Sequence, residues 1–450
     1  MHKSFFLSVK IKLFSFLLLF SLPSLSQPIT HDSVKAQFLH AWNGYKQYAW
    51  GHDALKPLSK QPHDWYGTSL LMTPVDAYDV MLIMGLEKEA EETKKLIFDS
   101  LSFDKDIEMQ SFEITIRLLG GLLSAYQMDG DKRFLSLAED LGKRLLPVFN
   151  TSSGMPFRYV HLQTGKISTP RSNPAEIGTA LIEFGTLSKL TGNPIYYEKA
   201  KRALVELFKR RSSIGLVGTW INVETGEWVN TTSHIGGAID SYYEYLIKCW
   251  LLFGDVECKE MFDEYIKAVN TYVADTSAGG LWYGQVDMET GSRKETSYGS
   301  LEAFFPATLC LAGDIERAKK LQESNYKMWQ VYDVEPEEID YVSMRAKSKQ
   351  YYLRPENIES AYYLFQYTND STYIKMGETF YRSLIKHCKT DVGFAMLNDV
   401  TTKEKGDAME SYFFAETLKY LYLLFAPKDA LPFDKVIFNT EAHPILKTWK

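Results

Sequence analysis

The sequence predicts an all-α fold, a closed toroid of seven helical hairpins with apolar helices inside, charged amphipathic helices outside and short β-hairpins on the loops. Three observations predict it. A punctuation of Gly or Asn, followed in most cases by Asp, recurs about every sixty residues. An apolar-periodic stretch precedes each punctuation and a more charged one follows it. Carboxylates stand near the starts of the apolar stretches.

The chain has 450 residues, and residues 1–26 are expected to be a secretory leader. Lys3, Lys10 and Lys12 come before the apolar run Leu13 to Leu22, and small residues follow it to Ser26. That run is short for a bilayer span. Residues 27–450 are expected to form one catalytic domain, because no Pro/Ser-rich linker divides them. With 45% hydrophobic and 24% charged residues the composition is that of a soluble globular protein. A net charge of -7 argues against a nucleic-acid partner. The leader points to export, periplasmic or secreted in a bacterium and the ER lumen in a eukaryote. A monomer without stable membrane insertion is expected.

The punctuations are Met84-Gly85-Leu86, Asp129-Gly130-Asp131, Thr191-Gly192-Asn193, Phe253-Gly254-Asp255, Ala312-Gly313-Asp314 and Thr368-Asn369-Asp370. Gly or Asn ends one helix in a left-handed conformation, and Asp or Asn supplies the oxygen that caps the next. Inner helices are therefore expected around Ile116–Tyr126, Ile177–Leu190, Tyr242–Leu252 and Ile358–Tyr367, with a last one within Met409–Phe425. β-Hairpins are expected at Gly215–Val229 and around Gly279–Met288. Glu113, Glu176, Asp240, Glu302, Glu356 and Glu410 fall at the starts of inner helices. In a closed ring these starts meet at one mouth, and gathered acids are costly unless they serve a cation, hydroxyl groups or proton transfer. An open solenoid would give no reason for that placement.

Four cysteines, Cys249, Cys258, Cys310 and Cys388, lack metal-ligand spacing. Cys249 and Cys258 are the nearest pair for a disulfide, while the helical patterning around them suits buried free thiols equally.

Several segments resemble glycoside hydrolase family 47, the class I α-mannosidases. They include His40 to Tyr45, Ala49 to Leu58, Phe112 to Ala125, Asp240 to Tyr245, Arg354 to Ser360, Glu416 to Phe425 and Phe438 to Pro444. The resemblance implies an (α/α)7 barrel, in agreement with the repeat count. It implies an inverting exo-α-mannosidase that removes terminal α-1,2-linked mannose from N-glycan-type or mannan oligosaccharides. It further implies Glu113 as general acid, Glu356 as general base and Asp240 as a third essential carboxylate, without deciding between Glu113 and Asp240 as the proton donor. Thr440 corresponds to the residue that binds Ca2+ through its hydroxyl and carbonyl, with Glu359, Glu416 and Glu441 accepting from the ion's waters. Arg117 and Arg354 would orient the carboxylates, and Glu176 and Tyr412 would face the sugar. Plain structural readings exist beside these: Glu113 and Arg117 are spaced as a helical ion pair, and Glu356 follows Pro355 as a helix N-terminal acid.

The chain departs from the processing enzymes at Ser300 to Pro306, which lacks their His and Cys, and at Ala238, where some carry a branch-contacting Arg. At Ser300 to Pro306 and at Arg211 to Gly218 it is similar to the ER-degradation-enhancing mannosidase-like branch. Two other readings are a non-hydrolysing, lectin-like binder of mannose glycans on the same fold and a different helical-barrel glycosidase or lyase acting on other polysaccharides.

Overall fold

In a computed structural model of the chain, residues 1–2 and 28–448 are described; the expected leader lies outside them except for its first two residues. The helices in chain order are α1 (His31–Tyr48), α2 (Met72–Ile83), α3 (Glu87–Ser100), α4 (Ser111–Ile114), α5 (Gly120–Asp129), α6 (Lys132–Leu145), α7 (Pro174–Gly178) and α8 (Leu181–Thr191). They continue with α9 (Ile195–Phe208), α10 (Asp240–Phe253), α11 (Val256–Ala268), α12 (Phe305–Leu311), α13 (Ile315–Val331), α14 (Glu356–Thr368), α15 (Thr372–Ser383) and α16 (Lys419–Phe425).

The punctuations work as expected. Gly130, Gly192, Gly254 and Gly313 have φ of +85°, +72°, +72° and +84°, and Asn369 has +55°. Asp131, Asp255 and Asp314 then accept from the backbone N–H of Arg133, Cys258 and Arg317 in the following helix. Each inner element packs against the outer helix that follows it: α2 on α3, α5 on α6, α8 on α9, α10 on α11, α12 on α13 and α14 on α15. The last inner helix, α16, takes its outer partner from the other end of the chain, α1. A wide π-helical turn, Phe413–Leu418, leads into α16 and packs against α2, which closes the inner ring. Seven inner and seven outer elements result among the described residues.

Inner and outer helices differ in burial as the sequence pattern requires. In α10 the residues from Ser241 to Cys249 are all buried, and in α14 those from Asn357 to Leu364. In α6 only one stripe is buried: Phe134, Ala138, Leu141, Gly142 and Leu145. The connecting loops at the N-terminal ends of the inner helices carry small antiparallel sheets. One pairs Trp220–Asn222 with Trp228–Asn230, and another contains Gln285–Asp287 and Arg293–Glu295, so both expected hairpins are present in shortened form.

A last antiparallel hairpin, Val436–Phe438 paired with Pro444–Leu446, fills the ring from the opposite end. Its base is held by Gln127 near the end of α5, which exchanges hydrogen bonds with the Leu446 backbone. Its tip, Asn439 to His443, reaches the middle of the inner ring. Asn439 organises that tip. Its Oδ1 accepts from Glu441 N at 3.0 Å and His443 N at 2.8 Å, while its Nδ2 donates to Ile116 O and Glu183 Oε1, each at 2.8 Å. Gly120 and Gly121 make room for it, since a Cβ on Gly120 would lie 2.5 Å from Asn439 Nδ2 and one on Gly121 2.7 Å from Val75.

Candidate active site

The inner helices begin at the mouth of the ring, so their positive ends and their first-turn acids face one cavity of about 380 Å3. Every expected site residue lines it: Glu113, Arg117, Glu176, Asp240, Arg354, Glu356, Glu359, Tyr412, Glu416, Thr440 and Glu441. Of the ring acids, Glu302 and Glu410 lie outside the lining. Glu302 accepts from Gly299 N at 3.1 Å, and Glu410 accepts from Trp65 Nε1 at 2.9 Å.

Two wide turns aim the deeper side chains. Arg117 lies in the π-helical turn Thr115–Leu119 and Glu416 in Phe413–Leu418, where the extra backbone width turns residues off the regular helical face. Arg117 is buried and donates through Nε to Glu113 at 3.0 Å, is paired through Nη1 with Glu441, and lies 3.6 Å from Asp76. Burial opposes its charge, and the surrounding Glu441, Glu113 and Asp76 carboxylates more than restore it. The helical ion pair of Glu113 and Arg117 therefore forms in the lining of the cavity itself.

Arg354 precedes α14 and forks onto Glu337, with Nη2 at 2.6 Å and Nε at 3.3 Å. The Tyr412 ring lies between the two guanidiniums, 5.6 Å from Arg117 and 5.8 Å from Arg354, and its hydroxyl donates to Tyr352 O at 2.5 Å. Glu176 accepts from Gln110 at 2.8 Å and Ser172 at 3.0 Å and pairs with Arg158 at 2.9 Å.

Burial raises several of the acids in the cavity. Asp240 is pushed up to about 7 by burial, with the Glu244 carboxylate adding to it. Glu356 also reaches about 7 by burial, against the opposing pull of Arg354. Glu359 and Glu441 rise to about 8, chiefly by burial, and Glu416 rises well above the ordinary range by burial and the neighbouring Glu441. Glu356 Oε2 is buried and has no protein hydrogen-bond partner.

Thr440 sits on the cavity floor at the hairpin tip, its N–H donating to the Tyr245 hydroxyl at 3.2 Å. The donors around it are hydroxyl, carbonyl and carboxylate oxygens, with neither His nor Cys in the lining. Acids outnumber the basic residues there. Such a set suits a hard cation such as calcium. Among the described residues, the carboxylates of this cavity do not converge on one point as a direct three-ligand cluster; the one such cluster is Cys249, Asp255 and Cys258.

Below the floor is a buried charge cluster. His443 donates to Asp79 at 2.7 Å and Asp76 at 3.2 Å, and Lys419 reaches Asp79 Oδ1 at 2.8 Å and Ala442 O at 2.5 Å. Burial alone would lower His443; Asp79 and Asp76 instead hold it up at about 9.

The sequence profile of glycosyl hydrolase family 47 matches residues 37–447. The chain belongs to that family. Family 47 membership makes it a glycoside hydrolase, and the relatives agree. ER degradation-enhancing alpha-mannosidase-like protein 2 of Homo sapiens is 38% identical, over 92% of this chain and 77% of that protein. Mannosyl-oligosaccharide 1,2-alpha-mannosidase IB of Homo sapiens is 36% identical, over 92% and 69%. Among solved structures, the alpha-1,2-mannosidase from Trichoderma reesei superposes with a TM-score of 0.86 at 27% identity, covering 92% of this chain and 98% of that one. A cellobiose 2-epimerase from Bacillus thermoamylovorans shares the fold alone, at a TM-score of 0.56 and 11% identity over 72% and 89%.

Within the family 47 site, the sequence reading did not single out Glu244, Glu337, Gln110, Arg158 or Trp220, although Glu244 lies inside one of the matching segments. Glu244 is buried beside Lys248, to which it is paired. Its signal was its spacing, one helical turn beyond Asp240 on the same face. Ala238 lines the cavity with φ +76°, its carbonyl accepting from Ala175 N at 3.0 Å. Glu335 was also passed over: it is fully buried, its Oε2 accepts from Asn357 Nδ2 at 2.9 Å, and its Oε1 is unpartnered.

Proposed function

We propose that the chain is an inverting exo-α-mannosidase that hydrolyses terminal α-1,2-linked mannose from N-glycan-type or mannan oligosaccharides. The observation that carries this reading is the convergence of Glu113, Asp240 and Glu356, from three separate inner helices, on one cavity whose floor is Thr440. The human mannosyl-oligosaccharide 1,2-alpha-mannosidase IB and the Trichoderma reesei alpha-1,2-mannosidase, by the specificity in their names, support the linkage. The N-terminal leader supports a working place outside the cytosol, and no helix among the described residues is long and apolar enough to cross a membrane.

Inversion needs a proton donor on the leaving oxygen and a base for water on the opposite face of the sugar. Glu113 and Asp240 form the donating side. Asp240, raised to about 7, keeps a proton to give at mildly acidic pH, and Glu113 is held in position by Arg117. Glu356, with its free Oε2, is the base that takes the proton from water. Its pKa near 7 suits that task near neutrality. Arg354, fixed by Glu337, orients Glu356 and Tyr412, and Tyr412 offers the ring against which the terminal sugar rests. Thr440 would hold calcium through its hydroxyl and carbonyl, with Glu359, Glu416 and Glu441 accepting from the ion's waters. When bound, the ion supplies a docking point for vicinal hydroxyls of the sugar and for the attacking water.

Time-resolved NMR of α-1,2-mannobiose hydrolysis tests the reading: β-mannose should appear first, and initial release of the α-anomer would overturn inversion. Glu356→Gln should lose at least ~100-fold in kcat while still binding the disaccharide, the scale of a lost general base. Wild-type protein that binds and never releases mannose, in the presence of calcium, would instead establish the lectin-like alternative.

A further inference from the structure

The hairpin of α10 and α11 carries two cysteines that the cavity does not use. Cys249 lies near the end of α10 and Cys258 in the first turn of α11, on either side of the turn at Gly254-Asp255. Both are fully buried. Their sulfurs are 2.7 Å apart, well inside the roughly 3.5–4.0 Å of ordinary nonbonded contact.

The groups around them are specific. Lys201 of α9 places Nζ 3.3 Å from Cys258 Sγ and 2.6 Å from Asp255 Oδ2. Asp255 Oδ1 accepts from Cys258 N at 3.1 Å, and the Tyr197 hydroxyl bonds Asp255 while lying 3.9 Å from Cys249 Sγ. Two sulfurs and a carboxylate are a donor set for a soft divalent metal. Here the Lys201 ammonium already supplies the positive charge, and both carboxylate oxygens are engaged. A metal would have to displace that cation, whereas joining the sulfurs displaces nothing.

We propose that Cys249 and Cys258 form an intrachain disulfide that ties α10, the helix carrying Asp240 and Glu244 into the cavity, to its outer partner α11. The proposal rests on the export reading, because such a bond persists in an oxidising compartment. The oxidant is a protein or small-molecule disulfide of that compartment. One cysteine thiolate attacks it, forming a mixed disulfide and releasing one thiol; the second cysteine attacks the mixed disulfide, forming the Cys249–Cys258 bond and releasing the second thiol. Two electrons pass from the cysteines to the oxidant, and the two protons lost by the cysteines end on its thiols. The step belongs to folding, before the sulfurs are enclosed, since burial in the folded chain pushes the Cys249 thiol up and disfavours its thiolate. Lys201 favours the negative sulfur as the hairpin closes.

The test uses the full chain exported into an oxidising compartment, denatured and alkylated without reductant, then mapped by mass spectrometry. Two alkylated cysteines, Cys310 and Cys388, and a linked Cys249–Cys258 peptide are expected, with all four alkylated after reduction. Four alkylated cysteines without reductant would overturn the proposal, as would any other pairing. Stoichiometric zinc with four free thiols would overturn it in favour of a metal site. The double variant Cys249→Ser, Cys258→Ser should turn over mannobiose yet melt a few degrees lower, as loss of a short-loop disulfide predicts. Reductant should lower the wild-type Tm towards that value and leave the double variant unmoved; an equal effect on both would also overturn the proposal.

Discussion

Calcium should stabilise this protein by an amount that grows with pH, and the buried acids set the size of the effect. Glu359 and Glu441 are pushed up to about 8 by burial, while unfolded Glu ionises near 4.3. In metal-free protein the folded chain keeps protons on these groups that the unfolded chain has already released. Stability therefore falls as pH rises from about 4.3 to about 8, and the whole penalty stands above that range. Each group corresponds to a ceiling of ~5 kcal/mol, which water in the adjoining cavity lowers. A cation at Thr440 reverses the preference by favouring the ionised acids. Unfolding entropy of ~2.1 cal/mol/K per residue makes each kcal/mol worth roughly 1 °C in a chain of this length, so relieving one group raises Tm by up to about 5 °C. The assay is calorimetry on protein stripped of metal by dialysis, with and without millimolar calcium, at a series of pH values. The calcium-induced gain should be near zero at about pH 5 and largest at about pH 8 and above. A gain that stays flat across that range, or no gain at all, refutes the reasoning. His443, held at about 9, adds a separate contribution that is present below about pH 6.5 and lost as pH climbs past about 9, with or without calcium.

Three further perturbations follow from the same geometry. His443→Ala leaves Asp76 and Asp79 with fewer cationic partners and should cost ~3–5 kcal/mol in denaturant unfolding, with reduced calcium stabilisation because the hairpin tip loses its anchor. Gly121→Ala puts a methyl 2.7 Å from Val75 and 3.1 Å from His443, which should lower stability by ~1–3 kcal/mol, measured as a shifted denaturation midpoint. Burial pushes Glu335 well above the ordinary carboxylate range, so Glu335→Gln should leave the pH profile of kcat/KM in place, while Glu335→Ala, by stripping Asn357 of its acceptor, should cost ~1–3 kcal/mol. A displaced pH profile in the Gln variant would show Glu335 to be ionised.

The parts of this architecture that were legible in the sequence are those fixed by local chemistry. A left-handed Gly or Asn follows six of the inner helices, and a capping Asp comes next at three of them, so the repeat and the inner helices could be located before any coordinates. Acids in the first turns were equally visible, and ring closure brought Glu113, Glu176, Asp240 and Glu356 to one cavity. The less legible parts depend on contacts distant in sequence. No local signal pairs α1 with α16, and none shows that the short α4 and α7 are followed by a wide turn and a break within otherwise apolar stretches. Asp53 is an example at the scale of one residue. It lies far before α2 yet accepts from Leu70 N at 2.7 Å and Met72 N at 3.2 Å, replacing the local cap that α2 lacks. Glu302 and Glu410 share the ring pattern but are taken up by Gly299 and Trp65, because the loops that meet them differ from those beside Glu113 and Glu356.

The same ring explains why acids outnumber basic groups at the site. Inner-helix N-termini facing the mouth favour negative groups there, and this makes it affordable to gather acids at that end. Dipole effects of that kind are worth at most ~2 kcal/mol each and fade within the first turn. Glu359 and Glu416 lie in the first turn of their helical segments and Glu441 on the hairpin, and at all three burial outweighs any dipole and the carboxyls rise. Arg117 and Lys248 answer only part of that charge, being paired with Glu441, Glu113 and Glu244. Thr440 is thus the neutral oxygen donor at the centre of an acidic floor, on a tip that Asn439 and His443 hold against three inner helices. If charge compensation is the reason for this arrangement, neutralising two of the deep acids, as in Glu359→Gln with Glu416→Gln, should raise the Tm of metal-free protein at about pH 8 while reducing the calcium-induced gain to the part that Glu441 contributes. A double variant that melts lower than wild type without metal at that pH would mean that these acids hold the floor together by themselves.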